Sequence, residues 1–277
     1  MEDVALSADL DHALRWWTAE AVLEAWAEPV TEALTTAGGL GHRDTVLDLT
    51  ARAGGLSLRL SQAVGPAGRV MACDGSPAML SVINSRVSIQ GIRNVTTVLG
   101  RSADVAVHRA SCHAAFCRFG LHHSPHPARL LRTTGDLLIP GGRLCVAGFS
   151  TPAANPAFAT ALGSVMPFIP DRFALEHWLF LGEGPAAVRL LERAGYTSVT
   201  CVSVPIHLRV TTAAELLRVL ELVLHVPSHE EAARAACVVW RAQALNALAV
   251  YEDESGWTVP FEAIVLSGVP AARTPLS

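Results

Sequence analysis

The stretch VLDLTARAGG, residues 46–55, decides how this chain is read. Its first four residues have the apolar character of a buried strand and carry one acid, Asp48. A short loop follows, and a helical pattern begins near Leu56. In α/β domains a loop so placed lays its backbone against a ligand. Glycine is used there because any side chain takes up ligand space. Here Thr50 and Arg52 stand at two positions where glycine is expected, while Gly54 and Gly55 remain. The scaffold is legible, and the site on it is rewritten.

Upstream, Leu14, Trp17, Ala21, Val22, Ala25 and Trp26 recur at helical spacing, and Pro29 is placed to open a further helix. Gly38, Gly39 and Gly41 then punctuate the chain before the first strand. Downstream the pattern predicts strands at 46–49, 69–73, 95–99, 113–117 and 143–147, with helices at 56–63, 77–87 and 127–138. Single helices between strands imply a doubly wound, mostly parallel Rossmann-like sheet of the α/β class. Such sheets bind ligands beyond the carboxyl ends of their strands. Residues 151–184, rich in Pro, Phe and small residues, break the rhythm and read as an inserted helical cap. A helix at 185–194 and a strand at 197–204 resume it. Residues 211–250 are helical and apolar, as a lid or an interface would be, and 259–267 completes a count of seven strands. The expected organisation is one structural domain: a helical segment over the pocket (1–40), the Rossmann-like core (41–150), the cap (151–184), and the completion of the core with its lid (185–277).

Composition narrows the function. Of 277 residues, 51% are hydrophobic and 17% charged, and the mean hydropathy is +0.35. A large buried core follows, together with an apolar cavity or an apolar oligomer surface such as a homodimer would use. A net charge of -4 gives no reason to expect nucleic acid or a membrane surface as partner. No apolar run reaches the roughly 18 residues that span a bilayer. The acidic start differs from a secretory leader, and the six scattered cysteines suit a reducing cytoplasm. Cys73 and Cys145 fall in strand-like runs as small core residues. All 21 basic residues are arginine, which excludes a Schiff-base lysine or a lysine general base.

With the order of elements in place, the segments VLDLTARAGGLSLRL, GRVMACDGSPAML, CRFGLHHSPHPARLL and LLIPGGRLCVAGF, followed by NPAF and LLERAGYTSV, carry a resemblance. Over about residues 15–269 the chain resembles class I S-adenosylmethionine (SAM)-dependent methyltransferases, in the ubiquinone/menaquinone-biosynthesis branch of small-molecule enzymes. The resemblance implies a SAM seat built from Asp48, from the loop positions Thr50, Arg52 and Gly54, and from Asp74 as the acid for the ribose hydroxyls. Gly75, Met79, Arg101 and Ser102 complete it. Arg101 stands where the family places an acid for the adenine amine. SAM is a sulfonium with an ammonium group, so arginines at positions 52 and 101 oppose ordinary SAM use.

Chemistry points to the exit of the fourth strand. His122, His123 and His126 cluster there, and histidine, with an ordinary pKa near 6.5, suits proton transfer. The H-H-x-x-H spacing also invites a metal, but the third ligand follows a proline turn and no nearby acid completes a set, so no metal is expected. Arg118 is placed either to pair with Asp136 or Asp104 or to bind a carboxylate or enolate of the substrate. His108 and His113 read as surface residues. Trp16, Trp17, Phe149, Phe158 and Met166, with Phe168 and Trp178, outline a pocket for a hydrophobic, polyketide-like small molecule. Glu176 and His177 are adjacent, and adjacent helix residues do not face each other.

These features together lead to a natural-product tailoring enzyme on a methyltransferase fold. It would have diverged from methyl transfer to a SAM-independent cyclisation, isomerisation or elimination, with His122, His123 and Arg118 as the catalytic set. A SAM-dependent O-, N- or C-methyltransferase is the alternative. A non-catalytic partner protein, docking through residues 211–250, is a third.

Overall fold

A computed structural model describes residues 2–100, 108–124, 126–159, 181–224 and 231–271. Along the chain lie α1 (Glu2–Gly38), β1 (Thr45–Asp48), α2 (Gly55–Val64), β2 (Arg69–Asp74), α3 (Pro77–Ile89), β3 (Val95–Leu99) and β4 (Cys112–Arg118). Then follow α4 (Pro127–Thr134), β5 (Leu138–Phe149), α5 (Gly184–Arg193), β6 (Tyr196–Val210), α6 (Ala213–Val223) and α7 (Glu231–Leu248). The two-residue β7 (Glu252–Asp253) and the long β8 (Gly256–Pro270) end the order.

The sheet runs β3-β2-β1-β4-β5-β8-β6, with β7 paired to β8. From β3 to β5 all neighbours are parallel, and β8 enters antiparallel between β5 and β6. Strand order reverses between β1 and β4. At such a switch point two successive loops leave in opposite directions and open a crevice over the carboxyl ends. The loops that meet there begin at Leu49 and at Phe119, which fixes where a ligand can sit.

Both faces are covered, as a mostly parallel sheet requires. Val46, Val70, Ala114, Phe116 and Cys145 point to a core shared with α1, α2, α6 and α7. Leu47, Cys73, Ala115, Leu144 and Val146 point to the other side, where Leu130 and Leu131 of α4 and Leu191 of α5 meet them. Cys73 and Cys145 are fully buried core residues. Among the described residues no helix is long and apolar enough to cross a membrane.

Several expectations on element limits are corrected. Pro29 lies inside a single 37-residue α1 rather than opening a second helix. An interior proline costs about 3 kcal/mol. The buried Trp26, Ala27, Val30, Thr31 and Leu34 on either side of it supply the packing that offsets this. Helix α4 stops at Thr134, four residues early, because Leu138 is drawn into β5 as the partner of Cys112. Strands β6 and β8 are each 15 residues long. They exceed the expected spans because they pair with each other along most of their length. Most of the expected cap, residues 160–180, lies outside the described residues.

One aromatic group joins α1 to the sheet. Trp26 stacks on Phe119 and Phe149, and Phe158 meets Phe149 and Phe261 edge-on or tilted at 4.6 and 4.5 Å. Phe158 is fully buried, so Phe158→Ala should cost roughly 3–5 kcal/mol of stability as a cavity mutation. Urea denaturation measures this, and a loss below about 1 kcal/mol would place Phe158 at a ligand surface instead.

Candidate active site

Asp48 closes β1 as a fully buried carboxylate. It accepts from the Ser57 hydroxyl at 2.6 Å and from the Thr50 N–H at 3.3 Å, tying the loop to α2. Burial raises its pKa to about 6, against the Ser57 hydrogen bond and the charge of Arg118. Gly54 sits at φ 90° and caps α2, a conformation that favours glycine.

Each of the two replaced glycines has its own accommodation. The Thr50 side chain fills the space above Gly120 after β4, where a Cβ would collide with it, and its hydroxyl lies 3.8 Å from the Cys117 sulfur. Arg52 keeps the left-handed backbone of a glycine, at φ 53°. For a side-chain-bearing residue that costs roughly 1–2 kcal/mol. Two contacts offset it. The Arg52 N–H donates to Asp74 Oδ2 at 2.9 Å, and the guanidinium carbon lies 4.6 Å from the Trp16 ring centre. Trp16 is itself oriented by its indole N–H, which donates to His12 Nε2 at 3.1 Å.

Between this loop, the exit of β4 and α1 lies a cavity. Its apolar walls include Leu23, Trp26, Leu56, Phe119, Phe149 and Val223. Its charged lining is Glu24, Arg52 and Arg118. Arg118 grips Glu24 through both terminal nitrogens, at 2.8 and 2.5 Å, and donates to the Thr31 hydroxyl at 2.6 Å. Burial alone would lower the Arg118 pKa, but the Glu24 carboxylate outweighs it and the net shift is upward. Glu24 lies directly over Gly55, where a Cβ would strike its carboxylate. It thus sets negative charge at the amino end of α2.

The sequence-derived candidates are therefore sorted. Arg118 faces the cavity but pairs with Glu24 rather than with Asp136, which lies 3.5 Å from Arg109. His122 lines the cavity, yet burial first, and the positive charge of Arg52 second, push its pKa down to about 3. A ring so shifted is neutral at ordinary pH and a weak proton acceptor. His126 is exposed, and the His123 side chain lies outside the described residues, as do Arg101, Ser102, Asp104, Met166, Phe168, Glu176, His177 and Trp178. Trp16 lines the cavity, whereas Trp17, one residue further round the helix, is 39% exposed and does not. Phe149 lines it, while Phe158 is core behind it.

Asp74 receives the Arg52 and Ser76 amides on its two oxygens, both at 2.9 Å. Gly75 is exposed, and Met79 is buried against Ala13, Ala53 and Trp16. His113 accepts from the Thr45 N–H at the opposite end of β1 and serves the strand, not the site. Among the described residues no group of three His, Cys, Asp or Glu could hold a metal.

Glu24 and Thr31 were missed. Their signal was present: Trp16, Glu20, Glu24 and Thr31 fall on one helical stripe that also borders buried Leu23 and Ala27. Acids on a core-facing stripe require partners.

Two predictions follow from this geometry. Gly120→Ala should cost about 1–3 kcal/mol by overpacking against Thr50, and Thr50→Gly in the same chain should restore most of it. Melting temperatures of the cycle check this, and additive losses would contradict it. For His122, the depressed folded value means stability that is present above the unfolded value near 6.5 and lost as pH falls toward 3. Asp48 runs oppositely, its contribution lost as pH rises through about 6. His122→Gln should therefore lose less stability than the parent between pH 6.5 and 4 in denaturant titrations; parallel curves would refute it.

Residues 22–200 match the ubiE/COQ5 methyltransferase family. The chain is 28% identical over 133 residues to the demethylmenaquinone methyltransferase of Lactococcus lactis, covering 47% of this chain and 53% of that enzyme. Among solved structures, the YcgJ protein from Bacillus subtilis superposes with a TM-score of 0.59 at 15% identity, over 88% of this chain and 98% of that one. The cyclase SpnF superposes with a TM-score of 0.56 at 17% identity, over 89% and 82%. At such identities the structural likeness concerns the fold alone. The chain spans about half the length of the curated relatives it matches. Nearly two-thirds of it lies within the family match. The chain belongs to the ubiE/COQ5 methyltransferase family of class I SAM-dependent methyltransferases.

Proposed function

We propose that this chain acts on an apolar small molecule in the α1-roofed cavity, and that it promotes a cyclisation, isomerisation or elimination without drawing a methyl group from SAM. The observation that carries this reading is Arg52. Its backbone amide occupies Asp74, the residue the family turns toward ribose, and its guanidinium stands on Trp16 at the cavity wall. SAM brings a sulfonium and an ammonium group, so a fixed cation there opposes it. Loss or reversal of one charge-assisted contact costs about 1.5–3 kcal/mol, which is roughly tenfold or more in affinity. The Arg52 charge and its claim on Asp74 argue against SAM in the family's seating.

The chemistry left to the chain's own residues suits a unimolecular reaction. Aromatic and aliphatic walls hold an apolar substrate in a folded conformation, which by itself lowers the entropic part of a barrier. Arg52 is placed to stabilise negative charge that develops on an oxygen. His122 stays neutral and orients rather than removes a proton. The same fold carries a cyclase in SpnF.

Methyl transfer from SAM is the second reading. It is favoured by Asp48, Gly54, Asp74 and Met79, which keep the positions the family uses, and by the second lone pair that each Asp74 oxygen retains. Calorimetric titration with SAM separates the two. The parent chain should bind at least about tenfold more weakly than the Thr50→Gly/Arg52→Gly double variant, in which both glycines return. Tight binding by the parent, abolished by Asp74→Ala and accompanied by a methylated product, would overturn the first reading in favour of the second.

A further inference from the structure

The cavity holds two guanidinium groups in unequal states. Arg118 is saturated by Glu24 and Thr31. The Arg52 guanidinium makes no hydrogen bond or ion pair among the described residues. Its one side-chain contact of note is the Trp16 ring beneath it. It is partly buried; burial lowers its pKa to about 10, with Asp74 working against the shift, so it stays charged at neutral pH. A cation partly withdrawn from water with no side-chain acceptor gives up some of its solvation. This one is also held there by a strained left-handed backbone, where glycine would relieve the strain. Charge, partial enclosure and strain thus converge on a guanidinium that Asp74 influences through its charge but does not bond through its side chain.

We propose that Arg52 anchors the carboxylate of a bound small molecule whose apolar remainder lies against Trp26, Phe119 and Phe149. The assignment deepens the function proposed above and rests on the same cavity being the ligand site. A carboxylate matches the planar fork of arginine through two parallel N–H···O bonds. The charge count favours a monoanion: Glu24 cancels Arg118, which leaves one positive charge in the lining. A phosphate dianion would find a single cation there.

The carboxylate could belong to a substrate or to the methionine end of a SAM-type cofactor, and the test separates these sources. Tryptophan emission is titrated with decanoate and with 1-decanol, which share a chain length and differ in charge. The parent chain, Arg52→Gly and Arg52→Gln are compared, and S-adenosylhomocysteine is titrated in parallel. Glycine suits the left-handed backbone at position 52, so Arg52→Gly should fold, and circular dichroism melting verifies this for both variants. The parent should bind decanoate at least about tenfold more tightly than decanol. Both variants should bring the two probes to within about twofold while leaving decanol affinity unchanged. Failure of decanoate to bind, equal binding of the two probes by the parent, or a preference that survives in Arg52→Gly overturns the anchor. If S-adenosylhomocysteine binding weakens on loss of Arg52, the anchor stands with the cofactor as its source, and the SAM-independent reading fails. If it strengthens, the anchor stands with the substrate as its source.

Discussion

The backbone of Arg52 is the constraint on which the rest of the site depends. At φ 53° it holds a long charged side chain in a conformation that glycine adopts freely. That turn aims its N–H at Asp74 and its side chain at Trp16. The positive charge of Arg52 also adds to burial, the larger cause, in disfavouring the imidazolium form of His122. One residue therefore engages Asp74, acts on His122 and contributes charge to the cavity lining. Removing the side chain would relieve strain and, at the same time, take away the contact that stands Trp16 over the loop.

Helix α1 is fastened over this loop by polar contacts spaced along its length. Asp9 accepts from the Ser76 hydroxyl and the Ala78 amide at the start of α3. Arg86 of α3 reaches both Glu20 and the Ala53 carbonyl. Glu24 holds Arg118. On the flank toward α6 and α7, the buried Glu221 is shared by Arg15 and Arg241, each at 2.6 Å. Such partly buried pairs add little net stability, yet breaking one leaves a buried charge exposed to its full desolvation cost. Their consequence is registration: Trp16, Glu24 and Trp26 are delivered to the cavity as a set. The apolar α6 then brings Val223 to the same wall.

Much of the fold was legible because its signals are local. Alternating strand and helix patterns, and the loops after Asp48 and Asp74, indicated the parallel sheet and the carboxyl ends of its strands as the ligand side. The two replaced glycines were visible as departures at Thr50 and Arg52. Other features depend on distant residues and could not be read locally. The Gly120 that makes room for Thr50 lies 70 residues away, and its meaning appears only when β4 lies beside β1. Arg118 was expected to meet an acid near in sequence and found Glu24, 94 residues distant, because α1 crosses the carboxyl edge of the sheet. His122 was read at its ordinary pKa, and only enclosure beside Arg52 displaces it. Pro29 misled in the opposite sense, since local helix breaking lost to packing on both of its sides.

A crystal structure of the purified protein at the carboxyl edge of β1 and β4 tests the account most directly. The expected density shows the Arg52 guanidinium stacked on Trp16, its amide on Asp74, and an anionic small molecule or solvent at the guanidinium edge. Density for co-purified SAM or S-adenosylhomocysteine, with ribose hydroxyls on Asp74 and Arg52 swung out to solvent, would contradict it.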